Sequence, residues 1–134
     1  MIAIDTNVLI YACDRSDERR QQAAIDLISR QTDGILLWQV ACEFIAASRK
    51  LAKYGFTPAQ AWERLNEFLA VLKLSLPGER VFAQAKALHL EKNVAFWDAM
   101  ILAGCLEAGA DILYSEDVPG EANLGNLRVV NPFA

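Results

Sequence analysis

A single histidine, His89, stands in this chain. It falls between Leu88 and Leu90 in an apolar helical stretch, so a Ser-His-Asp or Cys-His arrangement would rest on it alone, and a structural role is expected. The cysteines are only three, Cys13, Cys42 and Cys105, widely spaced and without a C-x-x-C pair. That excludes a disulfide framework and a thiolate zinc site, and the three read as reduced core thiols of a cytosolic protein. Neither G-x-x-x-x-G-K-[ST] nor G-x-G-x-x-G occurs, which leaves nucleotide-triphosphate and dinucleotide binding without a motif. No apolar run approaches the roughly 18 uncharged residues of a spanning helix. Met1 to Asp5 lacks the basic segment of a signal peptide, so a cytoplasmic location away from membranes is expected. Basic residues are outnumbered, 13 against 17 acids for a net charge of −4, which argues against a basic nucleic-acid-binding module. It does not argue against nucleic acid as a substrate.

What is present is a core. At 134 residues and 54% hydrophobic, residues 1–134 are expected to form one domain. Apolar runs at Ile2–Asp5, Ile35–Trp38, Leu72–Leu76, Ile112–Tyr114 and Leu127–Val130 read as strands. Between them lie helical patterns. Thr6-Asn7 opens a short helix through Val8 to Cys13, and Ser16 is the expected N-cap of a helix bearing Ala24, Leu27 and Ile28. Val40, Phe44, Ala47 and Leu51 follow at helical spacing, with Gly55 placed to end that helix. Thr57-Pro58-Ala59-Gln60 combines a cap, a proline at the first helical position and a Gln three residues on, and the stripe behind it is Trp62, Leu65, Phe68, Leu69 and Leu72. Phe82, Ala85 and Leu88 mark a further helix. The last runs from about Asp98 to Ala108 and stops at Gly109. Strands alternating with helices predict an α/β sandwich with a mostly parallel central sheet.

Thirteen of the acids sit among polar residues or at helix ends. Asp5, Glu43 and Asp98 do not: each is embedded in apolar neighbours, where an unpaired carboxylate carries a several-kcal/mol desolvation cost and calls for a partner or a metal. Asp117 closes a fourth segment, Ile-Leu-Tyr-Ser-Glu-Asp. In a parallel α/β sheet the carboxyl ends of strands and the amino ends of the following helices share one edge. Asp5 and Asp117 are expected at strand ends, Glu43 and Asp98 in the first turns of helices, so all four are expected at that edge. Gathered carboxylates need a compensating cation, and oxygen donors favour Mg²⁺ or Mn²⁺ over zinc. Taken singly, Asp5 and Asp98 are also explained as helix caps and Asp117 as a loop acid. Glu43 beside Phe44 has no such role. The case rests on the coincidence of the four.

The motifs Asp5-Thr6-Asn7-Val8-Leu9-Ile10-Tyr11, Glu43-Phe44, Trp97-Asp98-Ala99-Met100-Ile101 and Tyr114-Ser115-Glu116-Asp117 resemble, in order and spacing, the successive acidic motifs of PIN-domain nucleases. The closing Leu127-Arg128-Val129-Val130-Asn131-Pro132-Phe133 resembles the tail of VapC-type toxins. The resemblance implies a PIN-like α/β/α sandwich and a metal-dependent endoribonuclease, the toxin of a type II toxin–antitoxin pair, leaving 5′-phosphate and 3′-hydroxyl ends. It implies Asp5 and Asp98 as principal Mg²⁺ ligands, Glu43 and Asp117 completing the catalytic acidic cluster, and Thr6, Asn7 and Ser115 orienting acids or waters. It also implies an RNA substrate, a small antitoxin protein as cognate partner, and a homodimer. Cys42 departs from the family, where an Asn often precedes the Glu. Glu116 and Asp117 both offer a carboxylate to the last motif; strand alternation lets only one face the site, and the family pattern favours Asp117.

Setting the four acids aside leaves thirteen acids against thirteen bases, a neutral scaffold. Arg15, Arg19 and Arg20, and separately Arg49, Lys50 and Lys53, are candidate phosphate contacts, or plain solvated helix faces. The Trp62–Leu72 stripe suits either the core or a groove for an antitoxin helix. Two further readings stay open: an RNA-processing PIN nuclease without a toxin role, and a catalytically inactive Mg²⁺-binding α/β regulatory module. The latter would want a phosphorylatable Asp on a central strand and a late Lys, which the strand ends do not supply in that order.

Overall fold

The computed structural model describes residues 1–119 and 124–134. Among the described residues five short strands, β1 (Ile2–Ile4), β2 (Gly34–Leu37), β3 (Lys73–Ser75), β4 (Ile112–Tyr114) and β5 (Arg128–Val130), form one sheet in the order β3-β2-β1-β4-β5. Every pairing is parallel. The chain builds outward from β1 to β3, then returns across it to β4 and β5. That reversal puts the switch point between β1 and β4, where α/β sheets open a crevice beyond their strand ends. Ala3, Ile4, Leu36 and Leu113 are fully buried, as strands covered on both faces require.

Six α-helices among the described residues cover the sheet: α1 (Thr6–Cys13), α2 (Glu18–Ser29), α3 (Trp38–Ala47), α4 (Pro58–Val71), α5 (Arg80–Glu91) and α6 (Phe96–Ala108). Helices α1 to α4 pack as one group and α5 with α6 as another, and the whole is an α/β/α sandwich. A 3₁₀ helix over Ser48–Tyr54 follows α3 without a break and stops at Gly55, whose φ of 86° is a left-handed conformation that glycine adopts at no steric cost. The expected capping box of α4 forms, with Thr57 Oγ1 accepting from the Gln60 amide and Gln60 Oε1 accepting from the Thr57 amide. Gly104 brings α6 down on β2, since a Cβ there would press against the Leu37 side chain.

Several expectations are corrected. Trp38 is not the end of a strand but the first residue of α3, because β2 runs into that helix with no loop. The cap of α2 is Asp17, whose Oδ1 accepts from the Arg20 amide; Ser16 instead donates its hydroxyl to Asp14. In α5 the buried face is Val81, Ala85 and Leu88, while Phe82 is 67% exposed. Leu65, Phe68 and Leu72 of the α4 stripe are buried, Phe68 edge-on to Phe44 at 5.3 Å, but Trp62 is 58% exposed. Most of that stripe is therefore core and not a partner groove. Cys13 and Cys105 are buried thiols; Cys42 is exposed.

Candidate active site

β1 and β4 are hydrogen-bonded to their very ends: the Asp5 amide donates to the Tyr114 carbonyl at 3.0 Å. Asp5 and Ser115 therefore leave the sheet side by side. Ser115 Oγ donates to Asp5 Oδ2 at 2.8 Å, and the Thr6 amide donates to Oδ1 at 2.7 Å. Asp5 thus does cap α1, with one oxygen, while the other is fixed by the neighbouring strand. The cap reading and the site reading describe the same carboxylate.

Glu43 does not stand in a first turn, as expected from the sequence, but on the second turn of α3, since that helix begins five residues earlier at Trp38. Its carboxylate is held at both oxygens. Thr6 Oγ1 donates to Oε2 at 3.0 Å and Gln39 Nε2 to Oε1 at 2.6 Å. Asp98 is the third residue of α6, behind Ala95 as the capping residue, so it is not the N-cap. It lies where the helix dipole favours negative charge, and among the described residues no side chain hydrogen-bonds or pairs with it.

Glu116 and Asp117 part company after β4 has ended. The alternation of a strand does not separate them; a turn organised by Ser115 does, its Oγ accepting from the amides of Asp117 and Val118 at 3.2 and 3.1 Å. Asp117 Oδ2 accepts from Asn7 Nδ2 at 3.3 Å. Glu116 points to a different set of partners, accepting from Tyr11 Oη at 3.1 Å and Arg20 Nε at 3.3 Å.

Asp5, Glu43, Asp98 and Asp117 line one cleft of about 220 Å³, together with Thr6, Asn7, Lys50 and Trp97. The carboxylates sense one another there. Burial raises the Asp5 carboxyl above the ordinary range, against hydrogen bonds from Ser115 and Thr6, with Glu43 and Asp98 adding repulsion. Burial likewise raises Asp98, and the charges of Asp117 and Glu43 add to it. Behind Asp5 the Cys105 thiol is pushed up to about 12 by burial, so it is a neutral neighbour. His89 is remote in role: its ring bonds the Val94 carbonyl at 2.8 Å and packs edge-on to Phe96.

The donor set fits a hard cation. Among the described residues every ionisable acceptor lining the cleft is a carboxylate, and the hydroxyl of Thr6 and the amide of Asn7 supply the other side-chain oxygens. Among the described residues no three acids, thiols or imidazoles close to direct coordination spacing.

Sequence reasoning missed Gln39. A glutamine on a helix surface carries no signal of its own, and only its place four residues before Glu43 hinted at contact. Of the two basic clusters, Lys50 reaches the cleft, whereas Arg20 is bound to Asp17 at 3.0 Å and to Glu116.

The chain belongs to the PIN domain family, whose model matches residues 2–118. Among solved structures it is similar to a chain in the crystal structure of VapBC2 from Rickettsia felis bound to a DNA fragment from their promoter. The two share 20% identity with a TM-score of 0.68, over 98% of this chain and 98% of that one, a likeness of fold. No curated protein matches the chain.

Proposed function

We propose that the chain is a divalent-metal-dependent endoribonuclease, and that residues 1–134 act as a single PIN domain serving as the toxin of a toxin–antitoxin pair. The observation that carries the reading is the convergence of Asp5, Glu43, Asp98 and Asp117 on one cleft at the switch point of a PIN sheet. Asp5 and Asp98 are the principal ligands for Mg²⁺ or Mn²⁺, with Glu43 and Asp117 completing the site. Such a cation, when bound, stabilises charge on the scissile phosphate and acidifies a water.

The chain's own groups do the positioning. Ser115 and the Thr6 amide aim Asp5; Thr6 and Gln39 aim Glu43; Asn7 aims Asp117. Burial raises the Asp5 and Asp98 carboxyls, the neighbouring acids add repulsion, and among the described residues Lys50 is the one basic side chain lining the cleft. Cleavage is expected to leave 5′-phosphate and 3′-hydroxyl ends.

The toxin role is supported by the near-complete overlap with a chain of the VapBC2 complex. By that reading a small antitoxin binds and inhibits this protein, and the toxin itself pairs as a homodimer. The decisive test is cleavage of RNA and of DNA by purified protein with Mg²⁺ or Mn²⁺. RNA cleavage that EDTA stops, and that a folded Asp98→Asn variant loses by about 10²-fold or more through the missing ligand charge, is the expected result. Undiminished cleavage by Asp98→Asn would remove the site assignment. Co-expression with the product of the adjoining reading frame, read as restored growth, tests the toxin role separately.

A further inference from the structure

The acid cleft is continuous with a second groove of about 300 Å³, the two sharing Asn7, Ile10, Lys50 and Asp117. That groove is lined further by Lys53 and Tyr54, and both lysines belong to the 3₁₀ helix Ser48–Tyr54. Side chains three apart eclipse in a 3₁₀ helix, so Lys50 and Lys53 stand one above the other along its edge. Among the described residues neither lysine has an ion-pair partner. Lys53 Nζ instead lies 5.3 Å from the centroid of the Tyr54 ring. That ring is 40% exposed and also lines the next groove, with Arg15 beyond it. Among the described residues two acids face the shared groove. Asp117 belongs to the cleft, and Asp14 is engaged by the amide and hydroxyl of Ser16 at 2.9 and 2.6 Å.

We propose that this groove carries the substrate strand away from the acid cleft, Lys50 and Lys53 meeting successive phosphates and Tyr54 stacking an unpaired base. The proposal rests on the nuclease reading above and adds to it the side chains that hold the strand, a pair of lysines and a stacking ring. Paired lysines beside an exposed aromatic face make the combination that holds single strands, a cationic track plus a stacking platform. A base inside a duplex is already stacked on its neighbours and cannot lie on Tyr54. The cavity of about 370 Å³ that shares Trp97 with the cleft is walled by Leu37, Trp38, Leu76 and Met100, with no basic side chain among its described lining. It offers a phosphate no counter-charge.

The test compares wild type, Tyr54→Ala, Tyr54→Phe and Lys53→Ala on a labelled single-stranded RNA and on the same sequence in a duplex. Cleavage with Mg²⁺ gives kcat and KM; anisotropy in Ca²⁺ gives binding independently of turnover. Tyr54→Ala should raise both KM and Kd for the single strand about tenfold, with kcat held, because loss of base stacking is a binding loss. Tyr54→Phe, which keeps the ring, should restore most of that loss, a rescue that a merely structural tyrosine hydroxyl would not give. Lys53→Ala should lower the slope of log binding against log salt by about 0.7, the effect of one phosphate contact on a single strand. Equal binding of single strand and duplex, or Tyr54→Ala indistinguishable from wild type, would overturn the proposal. If wild type binds single strands in this Tyr54-dependent way yet cleaves nothing, the nuclease reading falls and the track stands. If it neither binds nor cleaves, both fall.

Discussion

Gln39 and Glu43, one helical turn apart on α3, are joined by a 2.6 Å hydrogen bond from the amide nitrogen to Oε1, and the same nitrogen donates to the Trp97 carbonyl at 3.2 Å. One side chain therefore ties the Glu43 carboxylate to the first turn of α6, immediately beside Asp98. Since Glu43 Oε2 is held by Thr6 as well, the spacing of the cleft's walls depends on a neutral amide and a hydroxyl and not on ion pairs.

Groups that orient metal ligands without touching the metal commonly change affinity or activity by about 10- to 100-fold when removed. Gln39→Ala is accordingly expected to leave the fold intact and to raise the Mg²⁺ concentration needed for half-maximal cleavage about tenfold. Gln39→Glu should be worse, because it sets a carboxylate where a donor stood against Glu43. Magnesium titrations of initial rate check both. Unchanged titration curves would show that Thr6 alone suffices to fix Glu43.

Glu116 and Asp117 are adjacent in sequence yet serve different surroundings. Asp117 lines the cleft, whereas Glu116 closes a cluster with Tyr11 and Arg20, in which Arg20 also lies 5.4 Å from the Tyr11 ring centroid. Asp117→Asn should therefore depress kcat/KM strongly. Glu116→Gln should keep cleavage within about threefold and cost at most about 1 kcal/mol of stability, the usual worth of a partly exposed ion pair. Parallel kinetics and urea melts measure the two effects, and the opposite ranking of activities would exchange the roles of the two acids.

Protonation links the same cleft to stability. Asp5 and Asp98 have carboxyls raised above the unfolded value of about 3.9, chiefly by burial, so the folded protein holds more protons than the unfolded chain as pH climbs through that window. Their contribution is fully favourable below the unfolded pKa and is lost as pH rises through the folded one. In EDTA, the melting temperature should thus be penalised at neutral pH relative to Asp98→Asn, and the advantage of the variant should shrink on acidification. Added Mg²⁺ should raise the melting temperature of wild type at neutral pH and do little at acid pH, where the acids are protonated. A melting temperature indifferent to both Mg²⁺ and Asp98→Asn would count against a shared carboxylate site.

The strand ends were legible because burial leaves a clear mark: Ile-Ala-Ile-Asp and Ile-Leu-Tyr-Ser-Glu-Asp are apolar runs stopped by acids, and a parallel sheet brings such ends to one edge. Glu43 was legible for the same reason, an acid in apolar company. Its place along the helix was not, because β2 passes into α3 without turn residues and Trp38 is as apolar as the strand before it. The orienting roles of Thr6 and Ser115 were legible only through the family resemblance, because their partners lie 37 and 110 positions away, whereas Gln39 lies one helical turn from Glu43 but carries no signal of its own as a helix-surface glutamine. Periodicity put Phe82 on the wrong face and could not separate exposed Trp62 from the buried residues of its stripe, because an aromatic residue on a helix counts as apolar whichever way it points.

Trp62 and Phe68 lie six residues apart on α4, and they divide what the helical pattern had joined. Phe68 is buried, edge-on to Phe44 beneath α3, the helix that carries Glu43. Phe68→Ala should cost about 3–5 kcal/mol, the usual range for a buried aromatic truncation, and the cavity would loosen the support of α3. Trp62→Ala removes a ring that is mostly in solvent and should shift stability by less than about 0.5 kcal/mol. Urea unfolding of the two variants decides it. A large loss from Trp62→Ala would mean that its ring is covered in solution, and dependence of that loss on protein concentration would identify the cover as a second copy of the chain.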